Sequence, residues 1–253
     1  VYKRQDRNEV GSFRRDFEIP QDWDGREVFI SFDGVDSFFY LWINGQYVGF
    51  SKNSRNTANF NITPYLQKGK NTVAAEVYRS SDGSFLEAQD MFRLPGIFRT
   101  VALYSVPKVH FRDLVATPDL DATYTDGSLT VNAEIRNLDK KAIKDYKVYY
   151  SLYANKLYSD ENTLVDGFLS PVIDKIAPNE TGSVQTVLKV KAPNKWSAEF
   201  PYRYTLVAEL KDRKNRTVEM VSTIVGFRKV EIKDTPASED EFGLCLLYTS
   251  PSP

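Results

Sequence analysis

The sequence predicts an all-β protein built from two antiparallel β-sandwiches. Short segments of alternating apolar and polar residues follow one another with frequent Gly, Pro and Asn turns, and no long segment has the period of a helix. The pattern restarts near Val106-Pro107-Lys108, which predicts a domain boundary there. A chain of 253 residues is long enough for one large domain or two of ordinary size.

The first domain is predicted to consist of short strands over residues 11–19, 26–32, 38–43, 46–50, 59–63, 72–79 and 97–105. Asn44-Gly45 separates two of these strands and is the strongest short signal for a β-hairpin.

The second domain has strand-like segments at residues 109–117, 128–136, 146–154, 182–191, 202–212 and 217–225, with turn residues between them. About seven short strands over about 120 residues are typical of an immunoglobulin-like sandwich.

Composition excludes several classes of function. Hydrophobic residues make up 42% and aromatic residues 13%, which is enough for real cores. The formal net charge is -1 with acids and bases interspersed, so neither a nucleic-acid partner nor a membrane surface is predicted. No apolar run approaches the roughly 20 residues of a membrane-spanning helix.

Both termini read as translations of a sequencing adapter. Residues 1–5 and 245–249 correspond to one adapter in opposite orientations, and residues 250–253 continue it. On this interpretation Lys3, Arg4 and the single Cys245 are not native. The net charge then becomes -1 minus 2, or -3, and thiol chemistry is excluded.

Residues 81–101 form the segment richest in chemistry. A connection this long inside a compact domain is usually functional or disordered, and apolar anchors such as Met91 and Leu94 argue against disorder. It combines carboxylate, amide, aromatic and guanidinium groups in Asp90, Gln89, Phe92 and Arg93. Such a mixture suits a sugar, which needs hydroxyl partners beside an apolar face.

This segment resembles the signature of the glycoside hydrolase family 2 β-galactosidases, and more narrowly the large LacZ-type enzymes at the end of their first domain. The matching residues are 82–87, 89–93 and 96–101. Phe85 and Phe92 replace Tyr and Trp of the family pattern, and Ala88 replaces an acid.

Shorter segments resemble other parts of the same family. Residues 33–35, 42–45, 60–63 and 69–71 are similar to its jelly-roll, galactose-binding-like domain. Residues 196–204 resemble its second domain, and residues 225–232 resemble the linker to its catalytic barrel. The resemblance therefore implies a jelly-roll domain over 6–107, truncated at its N-terminal side, an immunoglobulin-like domain over 108–229, and a linker over 230–244 towards a missing barrel.

The resemblance implies that the catalytic glutamates lie on that barrel, so no catalytic residue is assigned here and this fragment alone is expected to be inactive. The whole enzyme would hydrolyse terminal β-D-galactosides with retention of configuration. Asp90 matches an aspartate that contacts a galactosyl hydroxyl and an active-site sodium ion, while Gln89, Phe92 and Arg93 would hold its loop. A structural alternative for Asp90 is a loop brace, paired with Arg93 or capping a turn.

The resemblance also sets the expected partners. These are a β-galactoside sugar, the chain's own catalytic domain and a second copy in a homo-oligomer. Sodium and magnesium are implied for the whole enzyme, with no cofactor in this fragment, no nucleic acid and no membrane. The compartment stays open between bacterial cytoplasm and periplasm.

Two other functions remain open at this point. One is a stand-alone carbohydrate-binding module. The other is a fragment of a family 2 β-glucuronidase or β-mannosidase, against which Gln89-Asp90-Met91 favours a galactosidase.

Several residues favour structural roles. Glu87 and Asp90 both lie in a loop between strands, which disfavours a catalytic pair. The sole histidine, His110, begins a strand of the second domain, which disfavours metal binding. Trp23, Trp42 and Trp196 are predicted to be buried rather than to stack on a sugar.

Overall fold

The computed structural model describes residues 8–87, 94–234 and 244–248; the side chains of Phe85 and of residues 232–234 and 244–248 lie outside that description. The chain divides into two compact units, Val1–Pro107 and Lys108–Pro253. Each unit has its own hydrophobic core, and the predicted all-β fold of two successive sandwiches is confirmed.

The strands described in unit 1 are β1 (Val10–Glu18), β2 (Glu27–Phe32), β3 (Val35–Asp36), β4 (Phe38–Ile43), β5 (Gln46–Ser51), β6 (Ala58–Asn61), β7 (Lys70–Tyr78), β8 (Gly96–Ile97) and β9 (Val101–Val106). A one-turn helix, α1 (Gly83–Leu86), follows β7, and two 3-10 turns span Gln21–Trp23 and Thr63–Tyr65.

Unit 1 is a sandwich of a four-stranded sheet, ordered β1-β7-β4-β5, and a three-stranded sheet, ordered β6-β2-β9. Phe32 of one sheet packs on Phe39 of the other, with ring centroids 4.7 Å apart. The inward residues of β4 are Phe39, Leu41 and Ile43, all at most 2% exposed. Burying each such side chain contributes about 1.5–3 kcal/mol, so strict alternation along β4 fixes the register of the sheet.

A hydrogen-bonded pair of asparagines closes the β4–β5 hairpin onto the rest of unit 1. Asn44 and Gly45 both have positive φ, 51° and 78°, which a two-residue hairpin turn requires. The Asn44 amide nitrogen donates to Asn71 Oδ1 at 2.8 Å, and its oxygen accepts from the Thr72 backbone N–H at 2.9 Å. Asn71 is fully buried and donates to the carbonyl oxygens of Gln67 and Gly69. The two sequence motifs at 42–45 and 69–71 therefore form one hydrogen-bonded corner.

The strands described in unit 2 are β10 (Val109–Leu120), β11 (Gly127–Asn137), β12 (Ile143–Asn155), β13 (Asn162–Leu169), β14 (Ile173–Ile176), β15 (Thr181–Val190), β16 (Tyr204–Lys211), β17 (Thr217–Val225), β18 (Val230–Asp234) and β19 (Leu244–Tyr248). One sheet is ordered β10-β11-β15, and a second is ordered β13-β12-β16-β17 with β14 also paired to β12. Leu129, Ile135, Leu152, Leu206 and Leu210 are fully buried between them.

The strand boundaries differ from the sequence predictions at a few places. The segment 97–105 divides into β8 and β9, and the segment 59–63 ends early in a 3-10 turn. The sequence pattern does not predict strands β13 and β14; Asp166-Gly167, within β13, has the composition of a turn. In the structure Gly167 lies against β12, where a side chain would meet the Tyr149 hydroxyl. Strand β18 lies in the segment interpreted as a linker and pairs with β19.

Candidate functional site

The four residues predicted to form the sugar site, Asp90, Gln89, Phe92 and Arg93, lie outside the described residues. Their predicted roles stay predictions. The structure does describe the residues on both sides of them, and these define how the segment 88–93 begins and ends.

The segment is preceded by α1, which Asp82 caps. The Asp82 carboxylate accepts from the Gly83 backbone N–H at 2.9 Å and pairs with Lys52 at 3.1 Å. The hydrogen bond from Lys52, followed by that from Gly83, lowers the pKa of Asp82. Ser84, which is 3% exposed, accepts from the Ser81 N–H at 2.9 Å. A capping aspartate followed by this internal bond explains why a single helical turn forms here.

Glu87 ends α1 and is tied to a buried serine. Its carboxylate accepts from both the backbone N–H and the hydroxyl of Ser54, which is 1% exposed. The Ser54 Oγ also lies 3.5 Å from Oδ1 of Asp36, which is 7% exposed. Glu87 therefore braces the end of α1 against Ser54.

The far end of the segment returns to the same place. Gly96 pairs directly opposite Asp36 in the small β3–β8 ladder, and Ile97 pairs with Val35. Gly96 has a backbone φ of 129°, a conformation that residues other than glycine rarely adopt. We call Asp36, Ser54, Glu87 and Gly96 the Ser54 frame; both ends of the segment 88–93 meet there.

Two guanidinium groups secure the chain just after the frame. Arg55 and Arg99 lie 4.8 and 5.2 Å from the centroid of the Phe98 ring. Arg99 also donates to the Arg55 carbonyl oxygen at 3.0 Å. Gly34 lies under Phe98, where an added Cβ would come within 2.7 Å of the ring. The signature residues Phe98 and Arg99 thus pack on the Asp33-Gly34-Val35 segment that the sequence singled out separately.

In unit 2 the two other family-like segments come together. The backbone N–H of Trp196 donates to the Phe227 carbonyl oxygen at 2.9 Å. The Arg228 guanidinium lies 4.9 Å from the centroid of the Trp196 ring. Gly226 leaves room for Trp196, and the fully buried Phe227 meets Tyr204 edge-on at 5.2 Å. We call Trp196, Tyr204, Gly226, Phe227 and Arg228 the Trp196 cluster.

Polar contacts continue from the Trp196 cluster into β18. Lys229 pairs with Glu231 at 3.1 Å and donates to the Leu120 carbonyl oxygen at 3.1 Å. The Tyr124 hydroxyl donates to Glu231 at 2.7 Å. The hydrogen bond to Glu231 raises the pKa of Lys229, so the cation is stabilised. These bonds hold the segment after the cluster against the end of β10.

Other candidate groups have structural surroundings. Within the described residues no three or more acidic, histidine or cysteine side chains converge as a metal site, and no helix has the length and hydropathy to span a membrane. His110 is buried at 8% exposure. Trp23 packs against the unit 1 core as predicted, but Trp42 lies outside it, on the opposite face of β4 from Phe39. Like Trp23, Trp42 is partly buried, because Tyr40 and Tyr47 pack against its ring on that face.

Sequence reasoning missed Ser54 and Asp36. Both lie far along the chain from the segment 88–93, and a lone serine or aspartate after a strand is a common surface residue. A weak signal was present, since Asp36 adjoins the Asp33-Gly34-Val35 motif.

Both units match models of one protein family. Residues 3–107 match the model described as "Glycosyl hydrolases family 2, sugar binding domain", and residues 109–228 match the model described as "Glycosyl hydrolases family 2".

Curated relatives carry the name β-galactosidase. The chain is 43% identical over 227 residues to one from Priestia megaterium and 40% identical over 234 residues to one from Yersinia pestis. These alignments cover 90% of this chain but 21% and 22% of the relatives, so the chain spans about a fifth of their length.

Solved structures share the fold at lower identity. A Bacteroides uniformis β-glucuronidase superposes with a TM-score of 0.78 at 22% identity, covering 90% of this chain and 27% of that one. A β-glycosidase from Bacteroides vulgatus gives a TM-score of 0.70 at 26% identity, covering 94% of this chain and 27% of that one.

Proposed function

Because the chain belongs to glycoside hydrolase family 2, we propose that it is the non-catalytic N-terminal portion of a β-galactosidase that hydrolyses terminal β-D-galactosides. Its part in that enzyme is to supply one wall of the sugar pocket through the segment 88–93. Asp90 accepts a hydrogen bond from a galactosyl hydroxyl, and Gln89, Phe92 and Arg93 hold the loop around it.

The observation that carries this proposal is the Ser54 frame. The signature segment begins and ends at one buried, hydrogen-bonded point, with Glu87 tied to Ser54 and Gly96 paired to Asp36. A carboxylate that must meet a sugar in a fixed position needs such support from neighbouring residues. The names and identities of the curated relatives support the choice of a galactoside.

We propose that this chain alone does not hydrolyse the sugar. A retaining glycosidase needs two carboxyl groups about 5–5.5 Å apart with access to the sugar. Asp36 and Glu87 both approach Ser54, but Asp36 is 7% exposed and Glu87 is engaged by two donors. The bond-breaking glutamates are instead assigned to a catalytic barrel, with which this chain and further copies of the enzyme would assemble.

The sodium ion that the resemblance implies is assigned to Asp90. Its carboxylate has the hard oxygen atoms that sodium prefers, and among the described residues no three acidic, histidine or cysteine side chains converge as another metal site. The chain's own residues would position this carboxylate, and no step is assigned to an ion.

A chimera tests the proposal. This chain replaces the matched segment of the Priestia megaterium enzyme, and hydrolysis of nitrophenyl β-galactoside is compared with that of the β-glucuronide and β-mannoside. We expect galactoside activity in the chimera and none in the isolated chain. Preference for the glucuronide or mannoside, or turnover by the isolated chain, would contradict the proposal.

The variant Asp90→Asn in the chimera should lower kcat/KM about 10- to 100-fold. Losing one charged hydrogen bond costs about 1.5–3 kcal/mol, and 1.4 kcal/mol corresponds to tenfold. Asp24→Asn is the matched control, because Asp24 is exposed beside a 3-10 turn. An unchanged kcat/KM in Asp90→Asn would show that Asp90 is only a loop brace.

A further inference from the structure

The outer face of the four-stranded sheet in unit 1 carries an unusual set of aromatic rings. A sheet face turned to water normally alternates polar residues with the buried ones on the opposite face. Here six outward positions of β4 and its two neighbours are instead aromatic: Phe38, Tyr40, Trp42, Tyr47, Phe50 and Tyr78.

The six rings form one continuous surface. Centroids of Tyr40 lie 5.9 Å from Trp42, 6.0 Å from Tyr47 and 6.3 Å from Phe50. Trp42 lies 6.0 Å from Tyr47, so the rings bridge β4 and β5 without a gap. Such edge-to-face contacts fix the orientation of each ring. We call this surface the aromatic face.

The aromatic face is open to solvent at its rim. Tyr47 is 50% exposed and Phe50 is 53% exposed, because β5 is the edge strand of the sheet. Towards the other edge the same outer surface becomes ordinary, with Ser12, Arg14 and Asp16 on β1. The aromatic composition is therefore confined to one half of the sheet, and exposed apolar patches of this kind mark binding sites.

The chemistry of the aromatic face indicates an uncharged ligand with hydroxyl groups. In the described ladders, Glu76 is the only charged residue that pairs directly opposite one of the six, and its carboxylate accepts from the Tyr78 hydroxyl at 3.4 Å. Four of the six rings have a polar tip, either a tyrosine hydroxyl or the indole N–H. Apolar ring faces bordered by such groups match a sugar, which presents C–H faces and hydroxyls together.

We propose that the aromatic face binds a neutral β-linked oligosaccharide, which lies across β4 and β5. Sugar rings stack on Trp42, Tyr47 and Phe50, while Tyr40 and Glu76 take hydroxyl hydrogen bonds. The family model that contains this surface is described as a sugar binding domain, which agrees with such a ligand. This binding does not use Asp90 and goes beyond the pocket wall proposed above.

The test is titration of the whole chain with β-1,4-linked galactotetraose and with cellotetraose, followed by calorimetry and by the intrinsic tryptophan fluorescence, to which Trp42 contributes. We expect saturable binding of at least one probe with Kd of about 1 mM or tighter. The double variant Tyr47→Ala/Phe50→Ala should weaken it at least about tenfold, because it removes two of the rings on which the sugar stacks, while the urea midpoint stays unchanged.

The matched control is Tyr158→Ala/Phe200→Ala in unit 2, which removes two aromatic rings that are 95% and 66% exposed. This control should bind like the unaltered chain. The proposal would be overturned if neither probe bound saturably. It would also be overturned if the Tyr47→Ala/Phe50→Ala variant bound the probe as tightly as the unaltered chain does. A dimer of the chain that this variant dissociates would also overturn it, because the face would then be a protein interface.

Discussion

The Ser54 frame and the Trp196 cluster hold two signature segments by opposite means. In the frame, Ser54 and Asp36 are buried polar residues, and the contacts to Glu87 are hydrogen bonds. In the cluster, Phe227 is a fully buried apolar residue and Trp196 packs over a glycine. Hydrogen bonds fix direction at modest net stability, whereas apolar burial gives stability with little directional preference.

This difference fits what each region would do. The frame adjoins the segment whose carboxylate, on our proposal, contacts a sugar, and so orientation would matter there. The cluster lies where the chain leaves the unit 2 sandwich at Val225, and so firm attachment matters there. Variants that change the stability of one region but not the orientation of its residues, or the reverse, test this difference.

The largest effect is expected in the cluster. Phe227→Ala should lower the free energy of unfolding by about 3–5 kcal/mol, because it removes a fully buried ring. Urea denaturation of the whole chain measures this loss. Phe200→Ala, which alters a ring that is 66% exposed, should change it by less than about 0.5 kcal/mol. Equal effects of the two variants would show that the cluster is not a core element.

A smaller and more local effect is expected in the frame. Ser54→Ala removes a buried hydroxyl that donates to Glu87 and lies beside the buried Asp36, and it should cost about 1–3 kcal/mol. Amide hydrogen exchange should accelerate at residues 83–87 and 96–97 while unit 2 stays protected. Ser12→Ala, an exposed serine on β1, is the control. Accelerated exchange throughout unit 1 would mean that Ser54 supports the whole sandwich rather than the frame.

The smallest effect on stability at neutral pH is expected at the Tyr150 hydroxyl. Unlike the hydroxyl of Ser54, it has no hydrogen-bond partner among the described residues. Tyr150 is fully buried in the unit 2 core, and burial raises its pKa to about 12 from an ordinary value of 10.0. Tyr150→Phe should change stability at pH 7 by less than about 1 kcal/mol, since it removes an unsatisfied group.

The same variant has a pH signature. A raised pKa in the folded state means that the contribution of Tyr150 is complete below pH 10 and is lost as the pH rises towards about 12, where only the unfolded chain ionises readily. Urea midpoints between pH 9 and 11 should therefore fall less steeply in Tyr150→Phe, with Tyr158→Phe, an exposed tyrosine, as the control. Parallel slopes would show that Tyr150 ionises normally in the folded chain.

Much of the fold could be predicted from local pattern. Alternation along β4 and the Asn44-Gly45 turn predicted the central hairpin, because period-two burial and positive φ are local properties. Strands β13 and β14 could not be predicted this way. Residues 162–167 are exposed at the edge of their sheet, and their pairing with β12 depends on distant residues such as Tyr149.

The candidate site was predictable only in part. The signature segment stood out through its chemistry. Its supports Asp36 and Ser54 did not, because they reach Glu87 only through the tertiary fold: even the nearer one, Ser54, is 33 positions away in the chain. The aromatic face was missed for another reason. Phe38, Tyr40 and Trp42 alternate with Phe39 and Leu41, so hydropathy alone does not show which face meets water.

The most direct test of the pocket wall is a double-mutant cycle in the chimera. It combines Asp90→Asn with nitrophenyl β-galactosides that each lack one hydroxyl, and compares kcat/KM values. The account predicts that one deoxygenated substrate abolishes the penalty of Asp90→Asn, because the partner of the carboxylate is already absent. An Asp90→Asn penalty of the same size for every substrate, or no penalty for any, would contradict it.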